Sequence, residues 1–138
     1  MTVVLDACAM IAYLRGEPGW DTVAGMLADP DTQTYAHAVN LCEVYYDTLR
    51  VHGLRDPARS TAEDAIRDLE RVGVVTRSDM DGTFWRNVGV LKATYRVSIA
   101  DAFAIALTAR LGATLVSSDH HELDRLDAAG VCPLLFIR

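Results

Sequence analysis

The chain has 138 residues, 51% of them apolar and 23% charged, mixed along the whole length, which excludes a disordered or low-complexity protein. A chain of this size suits one folded domain over residues 1–138 that buries roughly two-thirds of its unfolded surface. Nineteen acidic residues against thirteen basic ones give a net charge of −6, the opposite of the broad basic face by which many proteins hold nucleic acid.

Thr2–Leu5 is a short β-rich run ending at Asp6, and Ala7–Leu14, with Met10, Ile11 and Leu14 at helical spacing, predicts a helix after it. Gly16-Glu17-Pro18-Gly19 breaks that pattern before Trp20, Val23, Ala24 and Leu27 mark a second short helix ending ahead of Pro30. Thr32–Ala36 is the next strand. From Ala38 to His52 the positions Leu41, Val44, Tyr45 and Leu49 form one helical stripe, with Glu43, Asp47 and Arg50 on the adjoining face. After a break at Gly53–Pro57, Arg59–Arg71 reads as an amphipathic helix and Val72–Arg77 as a strand. Phe84, Val88, Leu91 and Tyr95 continue at helical spacing, and Ser98 opens a helix over Ile99–Leu111 that Gly112 closes. Ala113–Val116 is a strand, Glu122–Ala128 a short helix ended by Gly130, and Leu134–Ile137 a last strand.

Short apolar strands alternating with helices indicate an α/β fold with a central parallel sheet covered on both faces. Right-handed crossovers bring the C-terminal end of every strand to one edge of such a sheet, where ligands bind. Asp6 follows the first strand and Asp119 the fourth. Glu43 lies early in the helix after the second strand, and Asp101 opens the helix that runs back to the fourth. All four acids are therefore expected at one edge.

Taken singly, each acid has an ordinary structural explanation. Asp6 and Asp119 sit where helix N-caps sit, Ser98-x-x-Asp101 matches a capping box, and Glu43 suits an exposed helix face. Together they need more, because two carboxylates about 4 Å apart repel by about 4 kcal/mol at an effective dielectric near 20. Protons or cations must offset a cluster of them. Hard oxygen ligands suit Mg²⁺ or Mn²⁺, and the chemistry implied is metal-assisted phosphodiester hydrolysis. Removing these four acids from the count leaves fifteen against thirteen bases, so the remaining surface is close to neutral.

The segments Val-Leu-Asp6-Ala-Cys-Ala-Met-Ile-Ala-Tyr-Leu, Val-Asn-Leu-Cys-Glu43-Val-Tyr-Tyr, Ser-Ile-Ala-Asp101-Ala-Phe-Ala-Ile-Ala and Ala-Thr-Leu-Val-Ser-Ser-Asp119 together resemble the PIN-domain ribonucleases, in particular the VapC-like toxins of bacterial toxin–antitoxin pairs. The resemblance runs in order through the full chain. It implies a PIN-like, Rossmann-like three-layer fold with strand order 3-2-1-4-5, and Mg²⁺ or Mn²⁺ held by Asp6, Glu43, Asp101 and Asp119. It also implies endonucleolytic cleavage of RNA, inhibition by a cognate antitoxin protein and assembly as a homodimer. The family's Thr-x-Asp pattern is here Ser117-Ser118-Asp119, so Ser117 keeps the hydroxyl.

Other residues carry weaker signals. Arg15, Arg86, Lys92 and Arg96 are candidates for RNA phosphates or for plain solvated faces. His120 and His121, about 100° apart on a helix, are poorly placed to share one ion. Tyr13, Trp20, Tyr45 and Tyr46 divide between core packing and stacking on bases or a partner. Cys8, Cys42 and Cys132, odd in number and without a Cys-x-x-Cys pair, suggest reduced thiols rather than a disulfide framework or a zinc site. The start lacks the features of a secretory signal, and no apolar run approaches ~18 residues, so a soluble, cytoplasmic protein without membrane contact is expected. Met10, Ile11, Leu14, Val23, Met26, Leu27, Tyr45 and Leu49 exceed the needs of a small core and suggest an apolar groove for an antitoxin helix. The alternative is a PIN-like module that binds protein with little or no catalysis. A haloacid-dehalogenase phosphatase needs a second Asp where Cys8 stands, and a receiver domain needs a strand-end Lys before its last helix that the chain lacks.

Overall fold

The computed structural model describes residues 1–138, the side chain of Ala58 excepted. Five strands, β1 (Thr2–Leu5), β2 (Gln33–His37), β3 (Val75–Arg77), β4 (Thr114–Ser117) and β5 (Leu134–Phe136), form one sheet in the order 3-2-1-4-5. Every pairing is parallel, with Val4 opposite both Tyr35 and Leu115. Seven helices connect them: α1 (Ala7–Arg15), α2 (Trp20–Ala28), α3 (Ala38–His52), α4 (Ala58–Arg71), α5 (Gly82–Tyr95), α6 (Ile99–Leu111) and α7 (His120–Ala128).

The period-2 alternation of β1 divides the core. Val3 and Leu5 point into one apolar layer with Met10, Val23, Leu41, Val44 and Leu69, while Val4 points into the other with Phe84, Val88, Phe103, Leu107, Leu115, Leu123 and Leu126. A central parallel strand covered on both faces has no polar side, and Val3, Val4 and Leu5 are fully buried. Helix α6 is apolar on nearly all sides, with every residue from Ala102 to Thr108 buried, as expected of a helix sandwiched between the sheet and other helices.

Element ends differ from the sequence reading where local hydrogen bonding overrides periodicity. Strand β3 begins at Val75 because Val72 and Gly73 still close α4, the Val72 N–H donating to the Asp68 carbonyl and Gly73 adopting a φ of 104°. Helix α7 starts two residues early, at His120, since Asp119 is its cap. His37 ends β2 and caps α3: its Nδ1 accepts the Val39 N–H at 3.1 Å, which leaves Nε2–H to donate to the Asp79 carbonyl at 3.0 Å. The ring packs between Phe84 and Phe103, so this buried histidine ties the loop after β3 to the start of α3. Among the described residues no helix is long and apolar enough to cross a membrane.

Candidate active site

At the C-terminal edge of the sheet, Asp6, Glu43, Asp101 and Asp119 line one cavity of about 170 Å³ together with Ala7, Cys8, Ser98 and Glu122. Each acid reaches it by the device that the chain order predicts. Asp6 caps α1, with Oδ1 accepting the Ala9 N–H at 2.9 Å, and Asp119 caps α7, with Oδ1 accepting the Glu122 N–H at 3.1 Å. Ser98 caps α6 through the Asp101 N–H at 3.1 Å, which orients the first turn of that helix. Capping engages one oxygen of a carboxylate, so the caps made by Asp6 and Asp119 do not exclude a ligating role.

Two side chains hold the acids in place. Ser117, fully buried at the end of β4, accepts the Asp119 N–H at 2.9 Å and donates its hydroxyl to Asp6, linking the acids after β1 and β4. Asn40, also fully buried, donates through Nδ2 to Glu43 at 3.4 Å and to the Ala100 carbonyl at 3.2 Å. It thereby fixes Glu43 against the helix that carries Asp101, while its own Oδ1 is buried without a hydrogen-bond partner. Sequence reasoning missed Asn40 and Glu122. Both lie three residues from a recognised acid, Asn40-x-x-Glu43 and Asp119-x-x-Glu122, a spacing that places side chains on one helix face.

Buried together, the acids disfavour one another's charged forms. Burial, reinforced by the charges of Asp101 and Glu43 and opposed by the Ser117 and Ala9 hydrogen bonds, pushes Asp6 up to about 7. Burial and neighbouring acids raise Glu43 and Asp101 too, against the hydrogen bonds from Asn40 and Ser98. The Cys8 thiol is pushed up to about 12, first by burial and then by Asp6, Asp119, Asp101 and Glu43, so it lies within the field of all four. No Lys or Arg is among the residues that line the cavity. The donor set is entirely hard oxygen, which fits Mg²⁺ or Mn²⁺. Among the described residues no three His, Cys, Asp or Glu side chains already converge on a single ion position.

The weaker candidates separate in the structure. Arg15 is bound to Asp47 at 2.7 Å, and Arg50 reaches the same carboxylate. Arg86 bonds the Gly82 carbonyl and lies over Trp85, and Lys92 bonds the Val97 carbonyl at 3.0 Å. Arg96 is exposed. His120 bonds Asp124 and the Arg138 carbonyl and stacks on Phe136, 4.1 Å between ring centroids, a local clasp on the last strand, and His121 is exposed. Tyr13 packs partly against the core, Tyr45 bonds Glu63, and Trp20 and Tyr46 are about half exposed. The expected apolar groove is narrower than its eight residues suggested, because Met10, Val23 and Met26 belong to the core. What remains is a cavity of about 280 Å³ between α1, α3 and α4, where Ile11, Leu14, Val44 and Ala65 meet Asp64 and Asp68.

The profile of the PIN domain matches residues 3–129. The chain belongs to the PIN domain family. PIN domains are nucleases that generally use divalent metals. No curated protein sequence is significantly similar to the chain. Among solved structures, VapBC2 from Rickettsia felis bound to a DNA fragment from its promoter shares the fold at a TM-score of 0.71 and 13% identity, over 99% of this chain and 98% of that one. A toxin–antitoxin complex from Klebsiella pneumoniae matches at 0.69 and 14% identity over the same shares. VapBC-5 from Mycobacterium tuberculosis matches at 0.59 and 20% identity, again over 99% and 98%. At these identities the likeness is one of fold, the five-stranded parallel PIN sheet in the order 3-2-1-4-5.

Proposed function

We propose that this PIN domain is a Mg²⁺- or Mn²⁺-dependent endoribonuclease and the toxin of a toxin–antitoxin pair, acting in the cytoplasm. The observation that carries the reading is a cavity lined by Asp6, Glu43, Asp101 and Asp119 with no Lys or Arg side chain among its lining residues. Bound divalent metal supplies activation of a water and stabilisation of the charge that develops on the leaving oxygen. Asp6 and Asp101, from the end of a buried strand and the first turn of a buried helix, are the proposed fixed ligands. Glu43, held by Asn40, and Asp119, tethered through Ser117, complete the set directly or through water. Ser117 keeps a hydrogen bond on the Asp6 carboxylate and so favours its ionised, ligating form.

The proposed products are a 5′-phosphate and a 3′-hydroxyl, because water rather than the substrate's 2′-hydroxyl is the nucleophile. None of the four histidines lines the acid cavity: His37 is locked in the core, His120 is clasped to Asp124 and the Arg138 carbonyl, His52 lines the separate α1–α3–α4 cavity, and His121 is exposed. Purified protein incubated with total cellular RNA should produce 5′-phosphate ends with Mg²⁺ or Mn²⁺ and none with chelator. Cyclic phosphate ends from chelator-treated protein would overturn the mechanism, and failure to cleave any RNA or to take up either metal would favour a protein-binding module.

The partner side of the proposal rests on the toxin–antitoxin complexes that share the fold and on the cavity between α1, α3 and α4. Its apolar floor and its acids Asp64 and Asp68 suit an antitoxin helix with an apolar face and a basic margin. Hydrogen-exchange protection mapping away from α1, α3 and α4 in a toxin–antitoxin complex would remove that assignment. Assembly as a homodimer is part of the same proposal.

A further inference from the structure

Three helices of this chain, α1, α5 and α6, end on a cap residue in the left-handed conformation. Two of those caps are glycine, Gly16 at φ 65° and Gly112 at φ 60°, and the third is Arg96 at φ 56°. Arg96 is the one non-glycine residue with positive φ among those described. A long side chain in this region strains the backbone, and glycine relieves the strain. The turn around it is firmly held: the Arg96 N–H donates to the Lys92 carbonyl at 2.9 Å, Lys92 Nζ donates to the Val97 carbonyl at 3.0 Å, and Val97 is fully buried. The arginine thus sits where glycine would serve the fold better.

Nothing within the chain accounts for it. Nine of the thirteen basic side chains have a hydrogen bond or ion pair within the protein, among them Arg15, Arg77, Arg110 and Lys92. Arg96 has none among the described contacts and is exposed. Its position is also singular. It lies two residues before Ser98, which lines the acid cavity and caps the helix of Asp101, so its Cα is within about 7 Å of the Ser98 Cα by chain length alone.

We propose that Arg96 is a substrate-positioning residue that binds an RNA backbone phosphate next to the scissile one. This rests on the nuclease reading above and deepens it. An exposed arginine on a held turn two residues from Ser98 attracts phosphate where the acid cluster repels it, and keeps the RNA near the cavity while the acids act on one linkage. Strain retained at a functional rim has the same logic.

The test compares wild type, Arg96→Gly and Arg96→Lys in Mg²⁺-dependent cleavage of a mixed-sequence single-stranded RNA, over a series of KCl concentrations. Binding of a 2′-O-methyl oligonucleotide in Ca²⁺ supplies a second readout. Arg96→Gly should fold with a thermal midpoint equal to or above that of wild type, raise KM about fivefold with the loss in KM rather than kcat, and lower the slope of log affinity against log salt by about 0.7. Arg96→Lys should keep the salt slope and recover part of KM. Wild-type KM and salt slope in Arg96→Gly would overturn this inference and leave the nuclease reading intact. Failure of wild type to bind or cleave RNA would overturn both.

Discussion

Two groups of carboxylates lie after strands of the same sheet, and they have opposite electrostatic character. After β3, Asp79 receives a two-pronged bond from Arg77 and a third from Arg110, which also holds Asp81. Hydrogen bonds from these arginines hold both acids down at about 2. After β1 and β4, Asp6 and Asp119 meet Glu43 and Asp101 with no arginine among them, and Asp6 rises to about 7. A place at the strand ends of a parallel sheet therefore does not by itself distinguish a ligand site from a structural ion-pair network. Internal neutralisation does: the Asp79 group is paired with arginines of the chain, and no basic side chain lines the cavity of the Asp6 group.

The largest expected contrast is in activity. Asp6→Asn, Asp101→Asn and Asp119→Asn should each remain folded, with the caps of Asp6 and Asp119 kept through the amide oxygen and that of Ser98 untouched, and lose at least about 100-fold in metal-dependent RNA cleavage. Near wild-type cleavage by any two of them at limiting Mg²⁺ would dissolve the shared site. Replacing Arg110 by Gln should leave cleavage within about twofold of wild type.

A second contrast is in the pH dependence of stability without metal. Asp6 has a folded value of about 7 against 3.8 when unperturbed, so its contribution is fully present below pH 3.8 and is lost as pH rises through 7. The term is on the order of 4 kcal/mol by pH 8. In chelator, Asp6→Asn should therefore melt well above wild type at pH 8 and close to it at pH 4, and Mg²⁺ should raise the wild-type midpoint far more than that of the variant. Parallel pH profiles would break the comparison. The smallest effect belongs to the Asp79 group, where the sign reverses: a carboxylate held at about 2 stabilises above pH 3.8 and loses that contribution as pH falls through 2. Arg110→Gln should melt a few degrees lower at pH 6, with the deficit closing toward pH 2.

Much of this was legible in the chain. The strand–Asp–helix junctions of Asp6 and Asp119 and the Ser98 cap before Asp101 are local patterns, and the parallel sheet converts local patterns into a shared edge. Glu43 has no local mark, since a lone glutamate in a helix suits an exposed face, and it was legible through its place in the helix after the second strand and through the family resemblance. Asn40 was not legible, because its role is a bond to the Ala100 carbonyl sixty residues away. Glu122 resembled an ordinary acid in the first turn of a helix. Arg15 looked available for phosphate until tertiary packing set it against Asp47. Strand β3 was overextended for a similar reason: Val72 favours strand locally, but the Asp68 carbonyl claims its N–H for the end of α4.

Helix α6 carries Asp101 at its start and has a continuous buried run from Ala102 to Thr108, whereas α7, which follows Asp119 and carries Glu122, buries only Leu123 and Leu126. Opening free energies in a folded protein follow this kind of difference, with densely buried helices exchanging their amide hydrogens only on global unfolding and thinly anchored ones by local fluctuation. The cavity is thus walled on one side by an immobile element and on the other by one that opens at small cost. Hydrogen exchange should be slowest in α6 and markedly faster in α7, and a bound ion should slow α7 far more than α6. Whatever adaptability the acid cluster has toward ions of different size resides in the wall built by Asp119 and Glu122.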